Sequence, residues 1–342
     1  MENVQKRNSY LDVVKGILIL IVVFRHIFQI AAANSDTDYL CNLMAVVEMP
    51  LFMTISGYFS LPRLFGKFDD YKIINKIKKI SIGYLIPFFS YFFVFKLFFY
   101  NNYESFTSIK IWIYNITESL WYLFAIWILN IFAIISFWIA KKFYNNYLRI
   151  IIFIAVYFVC LCAYLVLGVY KGFDFLGCKL VLYYSMYYLL GYLFLNFQNY
   201  LLALFKRYKE IVVFLCMFIY FIGSFKIKVL IIPDTPMFVI LRSSLALAGI
   251  LTILYLSYIL YKEFKCKTIE KIGINTLEIY YVHSFLLNSL DIAKATTLMS
   301  LGGLINASVL TLYIMGISTT VIFIVKHNSA LSFLLFGKKY NK

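Results

Sequence analysis

Charge is what this sequence has little of. Of its 342 residues 14% are Asp, Glu, Lys or Arg and 63% are hydrophobic, with a mean hydropathy of +0.84. A soluble domain normally carries about 25% charged residues, so a water-soluble fold is excluded and a polytopic membrane protein is indicated. Acids are scarcer than bases, 16 against 32, for a net charge of +16. Such an excess raises the question of nucleic acid, but the Lys and Arg lie between hydrophobic runs rather than in one patch, as membrane topology would place them. No nucleic-acid partner is expected. The absence of a strong internal repeat argues against a secondary transporter, since many of those folds are built from repeats. The longest polar connection, 62–79, is too short for a soluble catalytic domain. No small-residue cleavage site follows the first apolar run, which is long enough to span and is expected to stay as a helix. The six cysteines, Cys41, Cys160, Cys162, Cys178, Cys216 and Cys266, show no metal-ligand pattern, and Cys160 and Cys162 fit packing roles within a span. No His and carboxylate set has ligand spacing, so no metal is expected.

What is present is a series of apolar stretches of about 20 residues, the length a spanning helix needs. Ten are read: 10–31, 39–61, 80–100, 119–140, 149–167, 177–196, 210–225, 237–260, 269–290 and 303–325. The fold expected is an all-α polytopic membrane protein, with residues 1–342 forming one membrane-embedded domain. Lys and Arg gather on cytoplasmic loops. Counting the N-terminus, 62–79, 141–149, 206–209, 262–271 and the C-terminus as one set puts 22 of them on one side and 5 on the other. Both termini are therefore expected in the cytoplasm.

Ionisable side chains at membrane depth cost several kcal/mol and are usually kept for ion pathways, proton transfer or chemistry. The first span, YLDVVKGILILIVVFRHIFQI, carries Asp12, Lys15, Arg25 and His26, and the second carries Glu48 just before Pro50. At 1.5 Å per residue His26 falls in the outer part of the bilayer, ~24 Å along from Tyr10. By the same reckoning Glu48 lies about nine residues below the outer end of span two, Glu278 near the middle of span nine and His283 in its outer half. Arg242 and Lys179 begin their spans from the outside. This places Arg25, His26, Glu48, Lys179, Arg242 and His283 in one outer-half cavity. At about 100° per residue Asp12, Lys15 and His26 share a stripe rising from the cytoplasmic edge, with Arg25 roughly 80° away, placed to pair with an acid on a neighbouring helix or to snorkel outward. A membrane histidine also serves simply to bridge helices. That alternative is open for His26 and more so for His283, while His327 beside Lys326 reads as an interfacial residue. The 30 tyrosines and 35 phenylalanines are read as interface and packing residues.

The ordered motifs carry a resemblance. Asp12-x-x-Lys15-Gly16, His26, Met49-Pro50-Leu51-Phe52 and Ser56-Gly57-Tyr58 resemble the start of the acyltransferase 3 family of integral membrane acyltransferases. Leu120-Trp121-Tyr122-Leu123 resembles its fourth span, and Tyr187-Tyr188-x-x-Gly191 its sixth. Ile272-Gly273-x-Asn275-Thr276-Leu277-x-Ile279-Tyr280-x-x-His283 is similar to its late span. The likeness runs in order over essentially the whole chain. It implies transfer of an acyl group, usually acetyl, from cytoplasmic acyl-CoA to a sugar hydroxyl at the outer face or on a lipid-linked precursor. Within the family the chain looks closest to the short members that acetylate capsule, O-antigen or other surface polysaccharide in a bacterial inner or plasma membrane. Acetyl-CoA would be a donor substrate, with no permanently bound cofactor. Lys15 stands where many members have arginine, keeping the charge but losing the bidentate fork. Lys76 and Lys79 stand for the basic pair before the third span. Arg25 replaces a small or apolar neighbour of the histidine, and Glu48 a commoner histidine or polar residue.

A sugar hydroxyl attacking a thioester must lose a proton, and neutral imidazole is the usual base. His26 is assigned that role, with Glu48 or Asp12 orienting it or holding charge. The donor side is assigned to Lys15, Lys76, Lys79, Ser56, Gly57, Trp121 and Tyr122. Of these Lys15, Trp121 and Tyr122, with Arg25, are available as oxyanion donors. Arg25, Arg242, Lys179, His283 and Glu278 are acceptor-side or structural. The basic loops 63–79 and 262–271 would attract the CoA phosphates. Direct transfer and an acyl-histidine intermediate both remain open, as does oligomeric state. The competing class is a polysaccharide transporter or polymerase, which has no reason to bind acyl-CoA. A sensor would need a cytoplasmic output domain.

Overall fold

The computed structural model describes residues 8–31, 38–64, 70–99, 120–225, 235–264, 266–289 and 301–340. Among these, all regular structure is helical: α1 Ser9–Ala31, α2 Tyr39–Ser60, α3 Asp70–Phe99, α4 Trp121–Ala140, α5 Asn146–Lys171, a short 3-10 turn Phe175–Gly177, α6 Cys178–Gly223, α7 Pro236–Glu263, α8 Lys267–Ile274, α9 Thr276–Ser289, α10 Leu301–Lys326 and α11 Ser329–Phe336. Eight of the helical segments are long and apolar enough to cross a membrane. The chain is an all-α polytopic membrane protein. Lys6, Arg7, Lys67, Lys110, Lys226, Lys228, Lys265, Lys294 and Lys342, and the outermost residues of the expected spans 80–100, 119–140 and 269–290, lie outside the described residues.

Local chemistry sets several helix ends. The Asp38 carboxylate accepts from the Leu40 and Cys41 N–H groups, 2.8 and 3.3 Å, at the start of α2. Asn145 and Asn328 do the same for α5 and α11. Each satisfies N–H groups that a first helical turn leaves without partners. Gly172 (φ 96) ends α5 and Gly337 (φ 64) ends α11, backbone angles that favour glycine. Along α5 the side chains of Ile151, Phe158, Val159, Val166 and Val169 are exposed. In lipid an outward apolar face carries no penalty.

Two of the ten expected spans take another form. Span seven is not a separate helix: α6 runs on from Cys178 to Gly223, and Glu210–Gly223 is its shorter apolar end. The intervening residues 197–209, which hold the basic connection 206–209, contain no Pro or Gly, and their Leu, Ala, Lys and Arg are good helix formers. Span nine is broken into α8 and α9 at Asn275 (φ −101, ψ 19). Around the break polar side chains bond back to the backbone, Thr276 Oγ1 to the Gly273 carbonyl at 2.6 Å and Asn275 Nδ2 to the Lys271 carbonyl at 2.9 Å. Such bonds compete with helix continuation.

The chain divides into two units, with boundaries inside α2, α6 and α10. The first comprises Met1–Phe52 and Leu202–Ile322, the second Met53–Leu201 and Phe323–Lys342. In the first, α1 and α8 pack backbone to backbone. A Cβ on Gly16 would strike the Ile269 carbonyl, and one on Gly273 the Asp12 carbonyl. Tyr10 Oη donates to the Leu254 carbonyl at 2.7 Å, tying α1 to α7, and Tyr220 Oη to the Leu43 carbonyl at 2.7 Å, tying α6 to α2. In the second unit the same device recurs between α2 and α6: a Cβ on Gly57 would strike the Tyr188 carbonyl, and one on Gly191 the Thr54 carbonyl.

Candidate functional site

The first unit gathers the buried charge. Arg25 and Glu48 are 9% and 1% exposed, and Arg242, Glu278 and His283 are buried with them. Apolar helices carry these groups: α1 supplies Arg25 and His26, the N-terminal part of α2 supplies Glu48, α7 supplies Arg242, and α9 supplies Glu278 and His283. Arg25 Nε meets Glu48 Oε1 at 2.5 Å, and Arg242 interacts electrostatically with the same carboxylate. Pro50 lies inside α2, two residues beyond Glu48, and has no N–H to continue the helical ladder there.

The hydrogen bonds around His26 determine its tautomer. His283 Nδ1 lies 2.9 Å from the Ile279 carbonyl, which only accepts, so Nδ1 carries the proton. Neutral His283 then presents Nε2 as an acceptor, and His26 Nδ1, 3.2 Å away, must donate to it. His26 Nε2 is left as the lone-pair nitrogen, with Arg25 Nη2 donating to it at 3.1 Å. The two rings lie nearly parallel, 8° apart in plane, with centroids 5.4 Å apart. The chain from carboxylate to backbone carbonyl is Glu48, Arg25, His26, His283, Ile279. It presents one basic nitrogen in fixed orientation, the requirement for a general base.

Of the outer-half group expected from the sequence, Arg25, His26, Glu48 and His283 are linked by direct contacts, and Arg242 joins them electrostatically. Arg25 pairs with an acid on a neighbouring helix. Lys179 belongs to the second unit, where it is the second residue of α6 and its N–H donates to the Phe173 carbonyl at 3.0 Å. Asp12 does not orient His26. It pairs with Lys15 at 2.6 Å and lies roughly 21 Å from His26 along the axis of α1. Glu278 is fully buried near the start of α9.

The other donor-side candidates lie in the second unit. The space a side chain would need at Gly57 is taken by the Tyr188 carbonyl, so this glycine permits close helix approach rather than making room for a bound group. Ser56 Oγ is 3.1 Å from Tyr122 Oη, and Trp121 stacks on Tyr184 with centroids 5.3 Å apart. Tyr188 Oη donates to Asn130 Oδ1 at 3.0 Å. Lys76 Nζ donates to the Phe59 carbonyl at 3.2 Å, while Lys79 is exposed.

The sequence did not reveal the pairing of His26 with His283 or the bond that fixes it. The four-residue step from Ile279 to His283 was the only local sign, since it lets a helical side chain reach back to a carbonyl one turn earlier. The reciprocal glycine contacts were visible only as motif letters. Comparison with known proteins adds one finding: a family model described as an acyltransferase domain matches residues 8–334. No curated protein and no solved structure matches the chain.

Proposed function

Because the chain belongs to the acyltransferase 3 family and is a membrane acyltransferase, we propose that it moves an acyl group, acetyl by first preference, from cytoplasmic acyl-CoA to a sugar hydroxyl, with His26 as general base. The acceptor is a surface polysaccharide or its lipid-linked precursor, and the membrane is the bacterial inner or plasma membrane, with both termini in the cytoplasm. The observation that carries this reading is the hydrogen-bond chain from the Ile279 carbonyl through His283, which leaves His26 Nε2 as the basic nitrogen.

The acceptor oxygen bonds to the thioester carbonyl carbon as its proton passes to His26 Nε2. The C–S bond breaks, and the leaving thiolate takes that proton from the imidazolium. While His26 is charged, His283 Nε2 accepts from Nδ1–H and supports the cation. Arg25 supplies an N–H donor beside the reacting atoms, where charge develops on oxygen. Glu48 balances the guanidinium, so the buried cluster does not accumulate positive charge. The basic residues of 262–271, in the same unit as His26, draw the CoA phosphates.

The test is incorporation of label from acetyl-CoA into alkali-labile ester on envelope glycan, using membranes that contain wild type or His26→Ala, with donor binding measured on the purified proteins. Wild type transfers and binds. His26→Ala binds but loses about 10²- to 10⁴-fold in transfer, the range for a general base. If wild type has no affinity for acyl-CoA of any chain length, the donor premise fails and glycan transport or polymerisation takes its place.

A further inference from the structure

The nitrogen that would take the proton is already occupied. Arg25 Nη2 lies 3.1 Å from His26 Nε2, the ring atom that the His283 and Ile279 bonds leave with the lone pair. A lone pair accepting from a guanidinium is not open to an incoming hydroxyl. The guanidinium is anchored on its other side, with Nε on Glu48 Oε1 at 2.5 Å.

We propose that Arg25 and His26 form a clamp for the acceptor hydroxyl. At rest the guanidinium caps His26 Nε2. In the working site the hydroxyl oxygen inserts between the two, accepting from Arg25 Nη2–H and donating its own hydrogen to His26 Nε2. A hydroxyl fits this place because one atom carries both a donor and acceptor lone pairs. A protonated amine has donors only, so it cannot accept from the guanidinium and meets like charge. The clamp therefore selects alcohols over ammonium acceptors. As the oxygen gives up its proton, the bond from Arg25 strengthens, because a bond to a charged acceptor is stronger than one to a neutral acceptor. The inference rests on His26 acting as base, but its first half, the cap, is tested without any acceptor.

Diethyl pyrocarbonate acylates unprotonated imidazole nitrogen, and the modified histidines are quantified by peptide mass spectrometry on the full-length protein in lipid nanodiscs. His327 serves as internal reference: it is exposed, and its Nδ1 donates to the Phe323 carbonyl at 2.8 Å, leaving Nε2 to the reagent. Wild-type His26 should react more slowly than His327. Arg25→Met should raise the His26 to His327 ratio about ten- to hundredfold, the worth of one hydrogen bond to a charged donor. Arg25→Lys, which keeps a charged donor, should stay near the wild-type ratio. Although Arg25→Met uncovers the base, it should also lower label transfer by about ten- to hundredfold. An unchanged ratio in Arg25→Met overturns the cap. So does equal acceleration in Arg25→Met and Arg25→Lys, which would mean lost packing rather than a lost donor. Transfer by Arg25→Met at or above the wild-type rate overturns the clamp. Failure of the base reading shows instead as normal transfer by His26→Ala, a different variant and a different readout.

Discussion

The two units use one packing device for opposite contents. In each, a pair of glycines lets two helices meet backbone to backbone, Gly16 with Gly273 in the first and Gly57 with Gly191 in the second. Among the described residues the buried ionic and imidazole side chains, Asp12, Arg25, Glu48, Arg242, Glu278 and His283, all lie in the first unit, beside neutral groups such as Asn42, Ser243 and Thr252. In the second the buried polar groups are neutral hydroxyls and amides, with Tyr188 on Asn130, Tyr183 3.2 Å from Tyr187, and Tyr192 on the Pro62 carbonyl. Close glycine approach therefore does not mark chemistry by itself. What separates the units is the energetic risk of their contents. A neutral hydroxyl network costs little to rearrange, whereas a buried charge must keep its partner.

That contrast can be broken most forcefully at His26. Replacement by Ala should cost about 10²- to 10⁴-fold in transfer while leaving thermal unfolding in detergent close to wild type. A large fall in unfolding temperature would instead make His26 a structural bridge. Glu48→Ala removes one member of a buried pair and should destabilise by about 3–5 kcal/mol, read by thermal or denaturant unfolding. A loss under 1 kcal/mol, judged against that same range, would show that the first unit tolerates a lone guanidinium. Gly273→Ala and Gly191→Ala should each cost about 1–3 kcal/mol by overpacking. Similar losses would confirm that the device is shared, and a loss confined to one unit would end the parallel. At His283, Gln can still accept from His26 Nδ1–H and Phe cannot. Transfer by His283→Gln should exceed that of His283→Phe by about fivefold, one ordinary hydrogen bond, and equal rates would remove His283 as a positioning residue. The smallest effect is expected from Tyr188→Phe, about 1 kcal/mol of stability with no change in transfer per folded molecule.

How much of this was legible beforehand follows from how each feature is encoded. The all-α polytopic fold and the polar residues worth attention stand out in composition and hydropathy, because Arg25, His26 and Glu48 interrupt apolar runs. The angular offset of Arg25 on α1 allowed it a partner on another helix, and Glu48 is that partner. The continuous α6 was missed because hydropathy reports where a helix leaves the apolar phase, not where its hydrogen bonding stops. The break at Asn275 was missed for the converse reason: Gly273, Asn275 and Thr276 sit within a run that stays apolar enough to pass as one span. His26 and His283 are far apart in the chain, and no local periodicity announces that their rings meet. Asp12 shared a helix face with His26, but sharing a face says nothing of reach along the axis.

One consequence of the glycine crossing lies in the spacing of the residues beyond it. Gly16 and His26 are separated by the same ten-residue interval as Gly273 and His283, roughly 15 Å of helix on α1. The glycine contact is thus a datum from which two arms of equal residue count are measured, one continuous in α1 and one broken at Asn275, and the histidines meet where both end. Lengthening the α1 arm by a single residue would leave the datum intact but advance His26 ~1.5 Å and rotate it about 100°, enough to unmake the tautomer chain. The site behaves as a gauge with two rulers, so natural drift along these segments is constrained in residue count as well as in the identity of Arg25 and the two histidines.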